Sequence, residues 1–266
     1  GGITSIFIEG SLISEPVRFA IFLFGLFLTG GSANSLNQYF EREIDAKMSR
    51  TSSRRPLPLG TVTPRQALIF SIIIGFMGVI ILAVEFNMLT AILSLATIFF
   101  YGFLYTLYLK PRTSQNIVIG GLAGAMAPVG AWTAATGSMA LTPWLIFLII
   151  FFWTPPHFWA LAIHFQDDYR IAKLPMFPIV VGRKTTLDYM LLYSIIMFSF
   201  SIVLLIVNFG WFYMAIAILL GPVFIWKIVK IRKESDNESM FGLFKFSINY
   251  LFALFLALII DKILWA

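Results

Sequence analysis

The sequence predicts an all-α protein, a polytopic transmembrane helical bundle, on three observations. The chain of 266 residues is 59% hydrophobic and 12% charged, with a mean hydropathy of +0.88; a soluble domain of this size carries about twice that charged fraction. Apolar runs of about 20 residues, the length that crosses a bilayer as a helix, recur along it. The breaks between the runs carry Gly, Pro, Asn or charged residues, the usual punctuation of helix ends.

Eight spans follow, over residues 16–38, 66–84, 88–108, 116–135, 142–164, 187–207, 211–229 and 246–264. Ahead of the first, GGITSIFIEG is too short and too uncharged for a signal peptide, and reads as the tail of a further helix. The first span ends in a charged stretch, NQYFEREIDAKMSRTSSRRPLPLG. EFN at 85–87 separates the second span from the third, and TGSMAL at 136–141 the fourth from the fifth. The fifth contains TPPHFW, so Pro155 and Pro156 are expected to kink it, a break that neighbouring helices compensate in a membrane. No soluble domain or long linker interrupts the chain, so residues 1–266 read as one membrane domain. The absence of cysteine excludes disulfides, cysteine metal sites and a thiol nucleophile.

Threading the eight spans in alternation puts every one of the 19 Lys and Arg on one side, except Arg18 and Lys262. The net charge of +6 is therefore a topology signal, which makes the basic side cytoplasmic. It is not a nucleic-acid signal, because no folded surface is left to present it. The loops of the basic side also hold Glu41, Glu43, Asp45, Asp167, Asp168, Asp188, Glu234, Asp236 and Glu238, whereas the opposite loops are short and nearly neutral. Polar chemistry is thus expected at the cytoplasmic ends of the helices.

Within the charged stretch, Asn37, Glu41 and Asp45 recur every fourth residue. On a helix they share a face, drifting about 40° per step over roughly 12 Å. Three hard oxygen donors at a helix end suit Mg²⁺ that keeps some water and shares a phosphate ligand. Lys47, Arg50, Arg54 and Arg55 follow at once, and cations beside carboxylates suit a polyanion such as a diphosphate. The same charges also suit a solvated interfacial loop whose arginines face lipid headgroups.

This stretch resembles the first motif of the UbiA superfamily of intramembrane prenyltransferases, an Asn-x-x-x-Asp-x-x-x-Asp pattern. With Glu at 41 and the Arg-Thr-x-x-Arg-Arg-Pro-Leu-Pro that follows, it is most similar to the superfamily's protohaem IX farnesyltransferases. YTLYLKPRTSQNIVIGGLAGAMAPVGAW (105–132), WTPPHFWALAIHFQDDY (153–169) and LPMFPIVVG (174–182) agree with it. The resemblance runs from about residue 20 to about 185 and more loosely to the end. It implies nine helices around a central cavity that opens to lipid. The eight spans here imply a sequence that lacks the family's first helix.

The resemblance also implies a reaction: Mg²⁺-dependent transfer of farnesyl from farnesyl diphosphate to a vinyl group of haem B, giving haem O. Mg²⁺ falls to Asn37, Glu41 and Asp45, while Arg50, Arg54 and Arg55 share the diphosphate charge. Lys110 and Arg112, in the next cytoplasmic loop, join that clamp by resemblance, or serve only as topology-setting charges. The developing allylic cation suits aromatic faces, for which Tyr101, Tyr105 and Tyr108 are placed, although most of the 28 Phe and other rings are packing. The superfamily's second acidic motif is eroded: His157, Phe158, Leu161, Ala162 and Phe165 precede Asp167 and Asp168. Asp168 is the better candidate there for a second Mg²⁺–diphosphate contact, with Asp167 beside it. The erosion argues against a phenolic-acid acceptor.

His157, His164 and Asp168 fall within about 40° of one helix face. A histidine in a membrane helix points to function, so His157 is a candidate haem contact, as iron ligand or propionate donor; an interhelical hydrogen bond accounts for it equally well. A transporter would also be polytopic, but transport needs ionisable groups near the bilayer midplane, and these spans hold few. A related prenyltransferase with a quinone or aromatic-precursor acceptor is disfavoured by the NQxxE and PHFWAL forms. The short loops and the lack of a visible targeting segment favour the bacterial cytoplasmic membrane over the mitochondrial inner membrane, and the family resemblance implies a product passed to haem A synthase or to a terminal oxidase.

Overall fold

The computed structural model describes residues 1–208, 210–233 and 238–264; Glu234 and Asp236 lie outside the described residues. Thirteen α-helices are described. α1 (Gly2–Glu9) and a 3-10 turn (Ser11–Ser14) lead into α2 (Pro16–Asp45), the short α3 (Ser49–Ser52), α4 (Pro64–Glu85) and α5 (Met88–Phe99). α5 continues as a π-helix (Phe100–Leu109) into α6 (Lys110–Arg112). Then come α7 (Asn116–Ala125), α8 (Ala127–Thr136), α9 (Leu141–His164), α10 (Gln166–Ile171), α11 (Phe177–Asn208), α12 (Trp211–Lys233) and α13 (Glu238–Leu264). Among the described residues, eight helices are long and apolar enough to cross a membrane, with α5 through α6 and α7 with α8 each counting as one. The expected bundle is therefore the observed one.

Helix ends follow local chemistry. α4 starts with Pro64 behind a reciprocal cap, in which Thr63 accepts from the Gln66 N–H while the Gln66 side chain accepts from the Thr63 N–H at 2.9 Å. Asn87 caps α5 by accepting from the Thr90 N–H at 2.9 Å. α9 runs on as one helix through Pro155 and Pro156. It is the central helix: 72% of its most apolar stretch is buried, against 28–44% in the other spans. α11 contains a break at Gly182, whose φ of 82° and ψ of 165° leave the helical region. Such a conformation is open to glycine and costly for a residue with a Cβ.

α2 and α4 pack through small residues. A Cβ at Gly78 would lie 2.8 Å from the Thr29 methyl and 3.1 Å from the Gly25 carbonyl oxygen, so the backbones can approach only with glycine there. Ser32 Oγ donates to the Ser71 carbonyl at 2.8 Å across the same seam. This pairing fixes the helix that carries the oxygen stripe.

Candidate active site

α2 does not stop where its apolar residues stop. It runs to Asp45, so Asn37, Glu41 and Asp45 stand on consecutive turns of one helix face, and all three are buried, with exposures of 4%, 2% and 2%. Buried carboxylates need compensation, and two loops supply it. Lys110, at the end of the π-helix, places Nζ 2.6 Å from the Glu41 carboxylate. Arg55, from the loop after α3, forms an ion pair with Asp45 and lies 3.8 Å from Glu41. Asn37 donates through Nδ2 to Thr106 Oγ1 at 3.1 Å.

The arginine loop is folded back over this end of the bundle. Thr51 Oγ1 donates to the Asp45 carbonyl at 2.8 Å. Asp168, on α10, accepts from Ser49 Oγ at 2.9 and 2.8 Å and from the Arg50 N–H at 3.1 Å, and so caps α3 from a distant part of the chain. Partial burial works against ionisation of Asp168, but these donors and the Arg50 charge outweigh it and hold its carboxyl below the usual carboxylate range. After Arg55 the chain turns tightly: the Leu59 N–H donates to the Arg55 carbonyl at 3.2 Å and the Thr61 N–H to the Pro56 carbonyl at 3.1 Å. Arg50 keeps a buried Nε without a hydrogen-bond partner.

The candidates named from sequence divide accordingly. Asn37, Glu41, Asp45, Arg55 and Lys110 come together in one cluster. Arg50 and Asp168 meet beside it, and Arg54 is exposed. Arg112 turns back on its own helix end, donating to the Leu107 carbonyl at 2.9 Å and lying 4.7 Å from the Tyr108 ring centre. Asp167 is exposed and pairs with Arg170 at 3.3 Å. Tyr105 is buried, stacked on Tyr101 with ring centres 5.1 Å apart, and packed over Gly120. His157 lies across the bundle against α13, where its Nδ1 is 2.7 Å from Ser247 Oγ.

Sequence reasoning missed Thr106, Ser49, Thr51 and Asn116. Asn116 is fully buried; its Nδ2 donates to the Lys110 carbonyl at 3.2 Å, while its Oδ1 has no partner. Both Thr106 and Asn116 lie within the 105–132 stretch quoted above, so the signal was present but undifferentiated.

The cluster fits a hard cation. Among the described residues no third His, Asp or Glu joins Glu41 and Asp45, so the third oxygen of the stripe is the Asn37 amide. Glu41 Oε1 is buried and lies 2.6 Å from the Lys110 ammonium. An amide oxygen and two carboxylates on one helix face match the hard oxygen donors that Mg²⁺ takes. One turn deeper on α2, beginning at Ala33, lies a cavity of about 210 Å³, lined by Leu26, Thr29, Ala33, Thr97, Met126 and Gly130 among others. A charged head site therefore sits above an apolar chamber.

The model of the UbiA prenyltransferase family matches residues 2–258. A protohaem IX farnesyltransferase from Synechocystis sp. is 43% identical over 249 residues, covering 92% of this chain and 78% of that protein. The solved structure of a digeranylgeranylglyceryl phosphate synthase superposes with a TM-score of 0.79 at 20% identity, over 99% of this chain and 92% of that one. A UbiA homologue from Archaeoglobus fulgidus bound to DMAPP and Mg²⁺ superposes with a TM-score of 0.61 at 14% identity, over 91% of this chain and 87% of that one.

Proposed function

Because the chain belongs to the UbiA prenyltransferase family and is a multi-pass membrane enzyme, we propose that it transfers farnesyl from farnesyl diphosphate to a vinyl group of protohaem IX, giving haem O. One observation carries this reading. Two buried carboxylates, an amide and two basic side chains from separate loops converge above an apolar cavity. The acceptor is supported by the relative that is named for it.

Asn37, Glu41 and Asp45 would hold Mg²⁺, the ion bound with a prenyl diphosphate in the archaeal homologue. When bound it supplies charge neutralisation to the departing diphosphate. Lys110 and Arg55 pair with Glu41 and Asp45, which sets both cations beside the diphosphate's place. They bind its oxygens there, with Arg50 adding a third cation. The farnesyl tail extends into the cavity below Asn37. Tyr101, half-buried and backed by the stacked Tyr105, offers an aromatic face to the allylic cation left when the C–O bond breaks. The vinyl π electrons of the haem then form the new C–C bond, and water adds to the resulting cation with loss of a proton, leaving a hydroxyethylfarnesyl group. No nucleophilic side chain takes part.

On this reading the enzyme lies in a bacterial cytoplasmic membrane with its basic end in the cytoplasm, and haem O passes to haem A synthase or a terminal oxidase. The test is a product assay. Membranes containing the protein receive haem B, farnesyl diphosphate and Mg²⁺, and the extracted haems are identified by mass spectrometry. Haem O that disappears with EDTA, and with Asp45→Ala, is expected. Prenylation of an added quinone precursor in place of haem would overturn the acceptor and keep the chemistry.

A further inference from the structure

His157 takes no part in the carboxylate cluster, yet it is closely framed. Its ring is stacked on both faces, with Trp153 at 4.1 Å and Phe244 at 4.4 Å between ring centres and interplanar angles of 18° and 24°. The stack continues through Phe241 to His164, so five near-parallel rings line the α9–α13 seam. A ring clamped on both faces can present only its edges.

One edge is committed. Nδ1 lies 2.7 Å from Ser247 Oγ, and Ser247 Oγ gives its single proton to the Phe244 carbonyl at 2.6 Å. Towards His157, Ser247 can therefore only accept, so Nδ1 carries the ring proton. In the neutral imidazole the lone pair is then on Nε2. Nε2 makes no hydrogen bond among the described residues, in a ring that is 6% exposed and whose edge also meets Phe158, with ring centres 4.9 Å apart at 80°. Ser247 is itself fixed, because Trp153 Nε1 donates to its carbonyl at 2.9 Å.

We infer that His157 Nε2 is an axial ligand to the iron of the haem acceptor, oriented by Ser247 and clamped by Trp153 and Phe244. The inference rests on the acceptor being a haem, as proposed above. A metal-bound histidine characteristically donates its other ring N–H to an oxygen that fixes ring and tautomer, which is the arrangement at Ser247. A propionate contact would need an N–H on Nε2, and the ring's N–H is spent. A plain interhelical hydrogen bond explains Nδ1 but gives the Nε2 lone pair no role. His157 stands seven residues before the end of α9 and Glu41 four before the end of α2, which puts the two residues about 10 Å and 6 Å below the same end of the bundle.

The protein in nanodiscs is titrated with ferrous protohaem IX and followed by absorption and resonance Raman spectroscopy, with and without CO. Wild type is expected to give a histidine-ligated ferrous haem with one nitrogen ligand. His157→Asn keeps an amide towards Ser247, and should lose the iron–histidine band and bind haem about tenfold more weakly. Imidazole should restore the band in His157→Gly, while His164→Ala should leave it unchanged. The chain has two histidines, so wild type with His164→Ala decides the matter even if the His157 variants fail to fold. No iron–histidine band in wild type, a bis-histidine spectrum, or a band that survives His157→Asn overturns the ligand assignment; haem O formation then shows that the acceptor reading still stands. Absence of haem binding together with prenylation of another acceptor removes both.

Discussion

Lys110 Nζ lies 2.6 Å from the Glu41 carboxylate, joining the end of the π-helix to the last turns of α2, with side chains 17% and 3% exposed. Removing one partner of such a pair strands the other charge in a poorly solvated site, at a cost of about 3–5 kcal/mol. Lys110→Met should therefore lower thermal stability and cut prenyl transfer by at least about 100-fold. Glu41→Gln in the same chain should recover stability without recovering activity. Thermal unfolding of the two single variants and the double variant checks this; additive losses would mean the pair is not coupled.

Thr106 decides which way Asn37 faces. Its hydroxyl donates to the Tyr101 carbonyl at 2.7 Å, so it can only accept from Asn37, and Nδ2 is drawn to it. Oδ1 is then left for the cation. Thr106→Val should raise the Mg²⁺ concentration needed for half-maximal transfer by about 10-fold or more, while Thr106→Ser should stay near wild type. A Mg²⁺ titration of prenyl transfer checks this, and an unchanged midpoint in Thr106→Val would remove Asn37 from the metal site.

How much of this was legible depended on whether a residue's role was local. The stripe of Asn37, Glu41 and Asp45 is periodic on one helix, so spacing alone exposed it even though the apolar span was expected to end near residue 38. Lys110 and Arg55 were legible as cations in adjacent loops, but direction was not: Arg112, two residues from Lys110, turns back on its own helix end. The π-helix shifts register between 100 and 109, so the pairing of Thr106 with Asn37 does not follow from a 3.6-residue period. Asp168 was legible as an acid but not as the cap of α3, since Ser49 and Arg50 are brought to it by tertiary folding. The ring stack along α9 and α13 was hidden among many aromatics. The prolines of α9 were expected to kink the helix, which runs on through them as one element, while α11 departs from helical geometry at Gly182, ahead of the span expected from residue 187.

Asp168 holds the arginine loop and not the stripe, and this has a kinetic signature. Its carboxyl is held below the usual range, so the stability it contributes is present above its unfolded pKa of about 3.9 and is lost as pH falls through the lower folded value. It is therefore ionised throughout the window from about pH 6 to 8. Asp168→Asn should raise KM for the prenyl diphosphate by about tenfold, as expected for weakening hydrogen bonds to a charged acceptor, with the same ratio across that window. A ratio that varies with pH there would show that another group sets the loop.

Asp261 separates stability from chemistry. It is a buried carboxylate, 2% exposed, that accepts from the backbone N–H groups of Phe212 at 3.3 Å and Tyr213 at 2.8 Å. These are first-turn donors of α12 with no partner inside their own helix, and they lie at the opposite end of α12 from its basic last turn. Asp261→Ala should cost about 0.5–2 kcal/mol, the range for a lost helix cap, and lower Tm by a few degrees. Asp261→Asn keeps one acceptor oxygen and should lose less. Prenyl transfer measured well below Tm should be unchanged in both, because neither the carboxylate cluster nor the α9–α13 ring stack touches this end. A loss of turnover at low temperature with Tm intact would mean that the far end of α12 reaches the reaction, and the two ends of the bundle could no longer be treated as independent.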